Sequence, residues 1–137
     1  MSELKELAAE AKHELLTHII PFWRGMRDDK FGGYYGYLSY DLALDEKAEK
    51  GCILNSRITW FFANAYLLYK DGGISEEECE AAGFKGEDLL AEAKHGYEFL
   101  REHCIDKEYG GIFWSLNYDG TPLDTTKHTY NQAFCIY

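Results

Sequence analysis

Arg57 stands in the first turns of a run, Cys52 to Tyr69, that is apolar on nearly every side. A charged residue there must face either an acidic partner or an opening. If it faces an opening, its planar, permanently charged fork can bond two neighbouring oxygens at once, and a helix amino terminus adds positive potential. Tyr130 and Asn131 begin a second helical run, where a phenol and an amide can bond hydroxyls of a ligand or cap the helix. Trp114, on a glycine- and aromatic-rich segment, offers a flat indole that either walls a pocket or seals an end of the fold. The five histidines do not pair at metal-ligand spacing: His13, His95 and His103 fall on helical runs, His18 precedes Pro21, and His128 alone approaches Tyr130. Cys52, Cys79, Cys104 and Cys135 form no CxxC pair and read as reduced, mostly buried thiols. No metal and no cofactor is expected.

The chain has 137 residues, 46% of them apolar, which is enough to bury a core. Its net charge of -10 argues against nucleic acid and anionic membrane surfaces, which need clustered Lys and Arg. No apolar run is long enough to cross a bilayer, and the start Met1-Ser2-Glu3-Leu4-Lys5-Glu6 lacks the basic then apolar order of a secretory signal. A cytoplasmic location is therefore expected. The content of 11 Tyr, 8 Phe and 3 Trp exceeds what a small core needs, and supplies faces for helix interfaces or for sugar rings.

Periodicity places the elements that must position these residues. Leu4, Leu7, Ala8, Ala11, Leu15, Ile19 and Phe22 predict an amphipathic helix from Glu3 to Trp23, ended or kinked near Pro21. The segment 31–41 suits a short strand pair. Cys52 to Tyr69 predicts an inner helix covered on several sides. Ser75 to Glu78 has the spacing of a capping box, with Gly83 as the stop, and Glu87 to Cys104 predicts a second amphipathic helix through Leu89, Leu90, Ala93, Tyr97 and Leu100.

The pattern then repeats. Residues 110–119 match 32–41 at five of ten positions, at an offset of 78: Gly32 to Gly110, Gly33 to Gly111, Leu38 to Leu116, Tyr40 to Tyr118 and Asp41 to Asp119. A lysine follows each segment (Lys50, Lys127), then a helix start carrying an amide, Asn55 and Asn131, the latter pair at an offset of 76. The unit is outer helix, hairpin, inner helix, which is stable only when neighbours stack. Gln132 to Tyr137 is an apolar helical run with no stop signal, so the chain reads as ending within the second inner helix.

Four motifs are more specific than the architecture: His18-Ile19-Ile20-Pro21-Phe22-Trp23, Arg27 through Gly36, Asn55-Ser56-Arg57-Ile58-Thr59-Trp60-Phe61, and Lys127-His128-Thr129-Tyr130-Asn131-Gln132-Ala133-Phe134. Together they resemble the N-acylglucosamine 2-epimerase family over essentially the whole chain, with an unusually long acidic stretch from Gly72 to Gly86. The resemblance implies a mainly α fold, an (α/α)6 barrel of six helical hairpins with short β-hairpins between outer and inner helices. Residues 1–137 would be the amino-terminal portion of that single domain, roughly its first third. It implies an isomerase that inverts C2 of the reducing-end glucose of cellobiose and related β-1,4 disaccharides through a cis-enediolate, in a full-length monomer. Arg57 matches the family arginine on the O1/O2 side of the substrate, and Tyr130 the family tyrosine at the next inner helix. Both proton-transfer histidines would lie in later hairpins, so the 137 residues alone are expected to be inactive. Alternatives are epimerisation of an N-acylated glucosamine, an (α/α)6 glycoside hydrolase with two separated carboxylates, and a non-catalytic carbohydrate-binding or helical interaction module.

Overall fold

The computed structural model describes residues 3–137; Met1 and Ser2, part of the start read above, lie outside them. Helix α1 (Glu3–Glu14) carries Glu3 and Glu6 in its first turn and Lys12 and His13 in its last, matching its dipole. A wide π-helical turn, Leu15–Ile19, joins it to α2 (Ile20–Gly25). The break expected at Pro21 is thus absorbed one turn earlier. Proline has no N–H to offer and its ring crowds the carbonyl four residues back. Opening the preceding turn, with Ile20 N–H donating to Leu15 O, lets the helix run on to Gly25.

The segment 31–41 does not form the expected strand pair. Gly32 and Gly33 take φ of +81° and +67°, so the chain coils there, and only isolated bridges remain, Arg27 with Tyr34 and Leu38 with Leu44. The sheet instead joins the two repeats. β1 (Lys50–Gly51) pairs antiparallel with β2 (Ser115–Leu116), and β2 with β3 (Pro122–Asp124).

Helix α3 (Cys52–Lys70) starts directly from β1, and α6 (Thr129–Ile136) follows β3. Between them lie α4 (Glu76–Ala81) and α5 (Gly86–Phe99), the latter ending in another wide turn, Leu100–Cys104. The capping box is present: Ser75 Oγ accepts from Glu78 N–H, and the Glu78 carboxylate accepts from Ser75 N–H at 2.8 Å. On α5 the buried stripe is Leu89, Glu92, Ala93, Gly96 and Phe99, while Tyr97 faces out. Gly96 sets that register. A Cβ there would lie 2.2 Å from the Thr59 hydroxyl on α3, so only glycine permits this approach of the two helices. Ile20, Tyr34, Ile58, Phe62 and Leu89 form the main core; Cys52, Phe99, Cys104, Phe113 and Leu116 form a second one under the sheet. Cys79 is buried as well, and Cys135 partly so. Helix α3 is covered on fewer sides than expected: among the described residues Arg57, Trp60, Leu67 and Leu68 remain exposed.

One hydrogen-bonded device occurs in both repeats. Asp28 Oδ1 accepts from the N–H groups of Lys30 and Phe31, and Asp106 Oδ1 from those of Glu108 and Tyr109. Lys50 Nζ donates to Asp28 Oδ2 at 2.6 Å and to Gly32 O at 2.7 Å; Lys127 Nζ donates to Asp106 Oδ2 at 2.7 Å and to Gly110 O at 2.8 Å. An amide completes each copy. Asn55 Oδ1 accepts from Tyr34 N–H, and Gln132 Oε1 from Ile112 N–H. The counterpart of Asn55 is therefore Gln132, at the lysine offset of 127 - 50 = 77, and not Asn131.

Asp28 and Lys50 are both fully buried. Burial by itself would raise the Asp28 carboxyl, but the hydrogen bonds from Lys50 and from the backbone of Phe31 and Lys30 hold it below the usual carboxylate range. Replacing Lys50 by Met strands that charge and should cost about 3–5 kcal/mol in urea unfolding at pH 7, with a smaller loss for the more exposed Lys127→Met. A carboxyl depressed on folding stabilises above its unfolded value, about 4, and that stability is lost as pH falls through the folded value. The gap between wild type and Lys50→Met should therefore be widest at neutral pH and shrink below about pH 4.

Candidate functional site

Helices α3 and α6 are both tied to the segment that leads into β2. Cys52 N–H donates to Trp114 O, and Asn131 Nδ2 donates to Phe113 O at 2.7 Å. The helices then advance together: Arg57 lies against Phe134, and Trp60 stacks on Tyr137 with ring centroids 5.8 Å apart. They are parallel, with both amino termini at one end.

Between them runs a groove of about 750 Å³, lined by Trp23, Ile53, Leu54, Arg57, Ile58, Trp60, Phe61, Tyr130, Phe134 and Tyr137. Its wall is aromatic and aliphatic, and Arg57 is its one charged residue. The Arg57 guanidinium carbon sits 5.3 Å from the centre of the Phe134 ring, and Arg57 is exposed. Among the described residues no carboxylate pairs with it. Of the two environments open to this arginine, the structure gives it the opening. Tyr130, 60% exposed, stands one turn nearer the helix start, its ring edge-to-face with Phe134 at 4.9 Å. A phenol, a guanidinium and flat rings converge on one concavity, which can bond polar groups of a ligand and cover its apolar faces.

Two other expected residues are not in the groove. Asn131 is fully buried, its amide spent on the Phe113 carbonyl and its oxygen facing the Cys135 thiol at 3.8 Å. One residue's step along a helix turns a side chain by about 100°, so the neighbour of an exposed Tyr130 is turned inward. Trp114 is half-buried beside the sheet and packs on His128 at 4.6 Å, away from the groove lining. Trp23 and Trp60 supply the indoles instead. Trp60 was legible as the residue one turn after Arg57; Phe134 and Tyr137 were legible as one and two turns after Tyr130.

No histidine lines the groove. His18 bonds Glu14 at 3.0 Å, His95 bonds Gly33 O at 2.8 Å, His103 bonds Gly120 O at 3.2 Å, and His13 faces His18. Among the described residues no three His, Cys, Asp or Glu are gathered as a metal site, and no helix is long and apolar enough to cross a membrane.

The sequence profile described as N-acylglucosamine 2-epimerase (GlcNAc 2-epimerase) matches residues 33–137. The chain belongs to the N-acylglucosamine 2-epimerase family. It is 51% identical over 131 residues to the cellobiose 2-epimerase of Ruminococcus albus, covering 96% of this chain and 30% of that protein. It is 53% identical over 124 residues to the cellobiose 2-epimerase of Eubacterium cellulosolvens, covering 90% of this chain and 27% of that one. The solved structure of cellobiose 2-epimerase from Bacillus thermoamylovorans superimposes with a TM-score of 0.84 at 39% identity, over 97% of this chain and 30% of that one. The chain thus spans about 30% of the length of such relatives. Its helices and short antiparallel strands are the corresponding part of the (α/α) barrel of this N-acylglucosamine 2-epimerase family.

The position of Asn131 can be tested by folding alone. Asn131→Leu leaves the Phe113 carbonyl without its donor and should cost about 1–3 kcal/mol of stability in thermal or urea unfolding. A residue that served only to bind sugar would show no such loss.

Proposed function

We propose that this chain supplies the Arg57 wall of the active site of a carbohydrate epimerase, one that inverts C2 of the reducing-end glucose of cellobiose and related β-1,4 disaccharides. The carrying observation is the Arg57 guanidinium, open to an aromatic groove and paired with no carboxylate among the described residues. In the reaction the sugar ring opens, the proton on C2 leaves, and negative charge spreads over O1 and O2 of a planar cis-enediolate before a proton returns to the opposite face. A planar cationic fork bonds two such adjacent oxygens, and a water-poor apolar wall strengthens the interaction. Tyr130 bonds a sugar hydroxyl from the next helix, a reading supported by its position in the groove lining. The groups that move the proton are histidines of later hairpins, a reading supported by the absence of any histidine from this groove among the described residues. The enzyme acts as a cytoplasmic monomer without cofactor.

The substrate assignment rests on the cellobiose 2-epimerases at 51% and 53% identity. Glycoside hydrolysis, which needs two carboxylates across the sugar, is disfavoured by the 51% and 53% identity to cellobiose 2-epimerases. N-acylated glucosamine would need room and a partner for its amide, and the groove lining offers Arg57 as its charged group and Tyr130 and Tyr137 as its phenols.

The test joins residues 3–137 to the remaining part of the Ruminococcus albus relative in place of its own matching third. The chimaera should convert cellobiose to its 2-epimer; release of new reducing ends, or a folded but inert product, would defeat the proposal. Because the enediolate charge exists only in the transition state, Arg57→Lys should lower turnover about a hundredfold, ~3 kcal/mol, with a smaller change in KM. A near-normal rate per folded molecule would remove Arg57 from the reaction.

A further inference from the structure

Resting on the reading of Arg57 just given, we infer that Phe134 is a positioning residue for the reaction: its ring holds the Arg57 guanidinium in the groove without occupying the N–H edge that the sugar oxygens need. Arginines in protein interiors are ordinarily oriented by carboxylates, and this chain does that elsewhere, where Arg24 and Arg27 both reach Glu92. Arg57 departs from that pattern. Its partner is an aromatic face, at 5.3 Å from guanidinium carbon to ring centre.

The difference has a chemical consequence. A carboxylate would fill the fork's bidentate edge and neutralise the charge that a developing enediolate has to meet. A ring attracts the cation through its quadrupole, restricts the side chain's rotamers, and is only a weak acceptor of an N–H beside a carboxylate. No carboxylate competes for the donors while the side chain is held against the ring. Phe134 is itself fixed, half-buried on α6 with the Tyr130 ring edge-on to it at 4.9 Å, so that the second substrate-facing group and the arginine share one support. The parallel course of α3 and α6, at the offset of 134 - 57 = 77 that also relates the two lysines, makes the contact a product of the repeat itself.

Two measurements test the inference, one of them independent of activity. In the folded chimaera, the Arg57 side-chain resonances should lie upfield of their random-coil positions through the ring current of Phe134, and Phe134→Leu should return them. Absent or unaltered upfield shifts overturn the inference. In the chimaera, Phe134→Leu should lower kcat about tenfold with KM little changed, and Phe134→Tyr should restore it. In an Arg57→Lys background the same Leu substitution should have a much smaller effect. A Leu variant with wild-type kcat, or one equally damaging in both backgrounds, overturns the inference while leaving the epimerase reading intact. An inert wild-type chimaera, or normal turnover by Arg57→Lys, overturns that reading itself, and the resonance shifts still decide whether Phe134 holds Arg57.

Discussion

Each inner helix must begin at a fixed point relative to the loop that precedes it, and a buried or half-buried ion pair fixes that point. Asp28 gathers the backbone N–H groups of its own loop on one oxygen and Lys50 on the other, and Lys50 is the residue from which β1 enters α3. The loop cannot shift without either breaking the pair or dragging the helix start with it. Taking both charges out of water is costly, and the extra bond from Lys50 to the Gly32 carbonyl and the two N–H donors on Asp28 satisfy what the pair alone would leave open. Lys127 and Asp106 repeat the arrangement one unit later. Because both units use the same clamp, α3 and α6 emerge side by side and in the same direction, and the groove is the space this leaves between them.

That geometry explains why Arg57 and Phe134 meet. They occupy equivalent positions of the two repeats, one charged and one aromatic. The equivalence also accounts for Trp60 and Tyr137, three residues further on. Duplicated helices in register would otherwise present identical side chains to one another; here the sequence has diverged so that one helix carries the cation and the other carries the rings.

Much of this was legible in the residues themselves. Helix periodicity and the Ser75 capping box located the long helices, and the glycine-aromatic repeat located the unit. What was not legible followed from contacts between distant segments. The repeat was read with an offset of 76 at its amides, which made Asn131 the twin of Asn55; a one-residue change of offset turns a helical side chain through about 100° and moved a buried structural amide into the expected site. The strand pair was expected within 31–41 because aromatics favour extended chain, but Gly32 and Gly33 in left-handed conformation bend the segment, and pairing went to the other repeat. The role of Gly96 was equally invisible, since only the Thr59 hydroxyl on another helix reveals it.

The distribution of charge bears on which ligand suits the groove. The chain carries a formal net charge of -10, and such a field repels an anion at long range. A neutral disaccharide feels little of it on approach. Within the groove the balance reverses, because the lining holds no carboxylate and a single guanidinium. Local positive potential inside a negatively charged molecule favours a ligand that arrives neutral and becomes anionic only after water has been displaced, when the screening that weakens Arg57 at the surface is gone. The enediolate proposed above would have that history, whereas a phosphate or carboxylate ligand would meet the repulsion first and the arginine only afterwards.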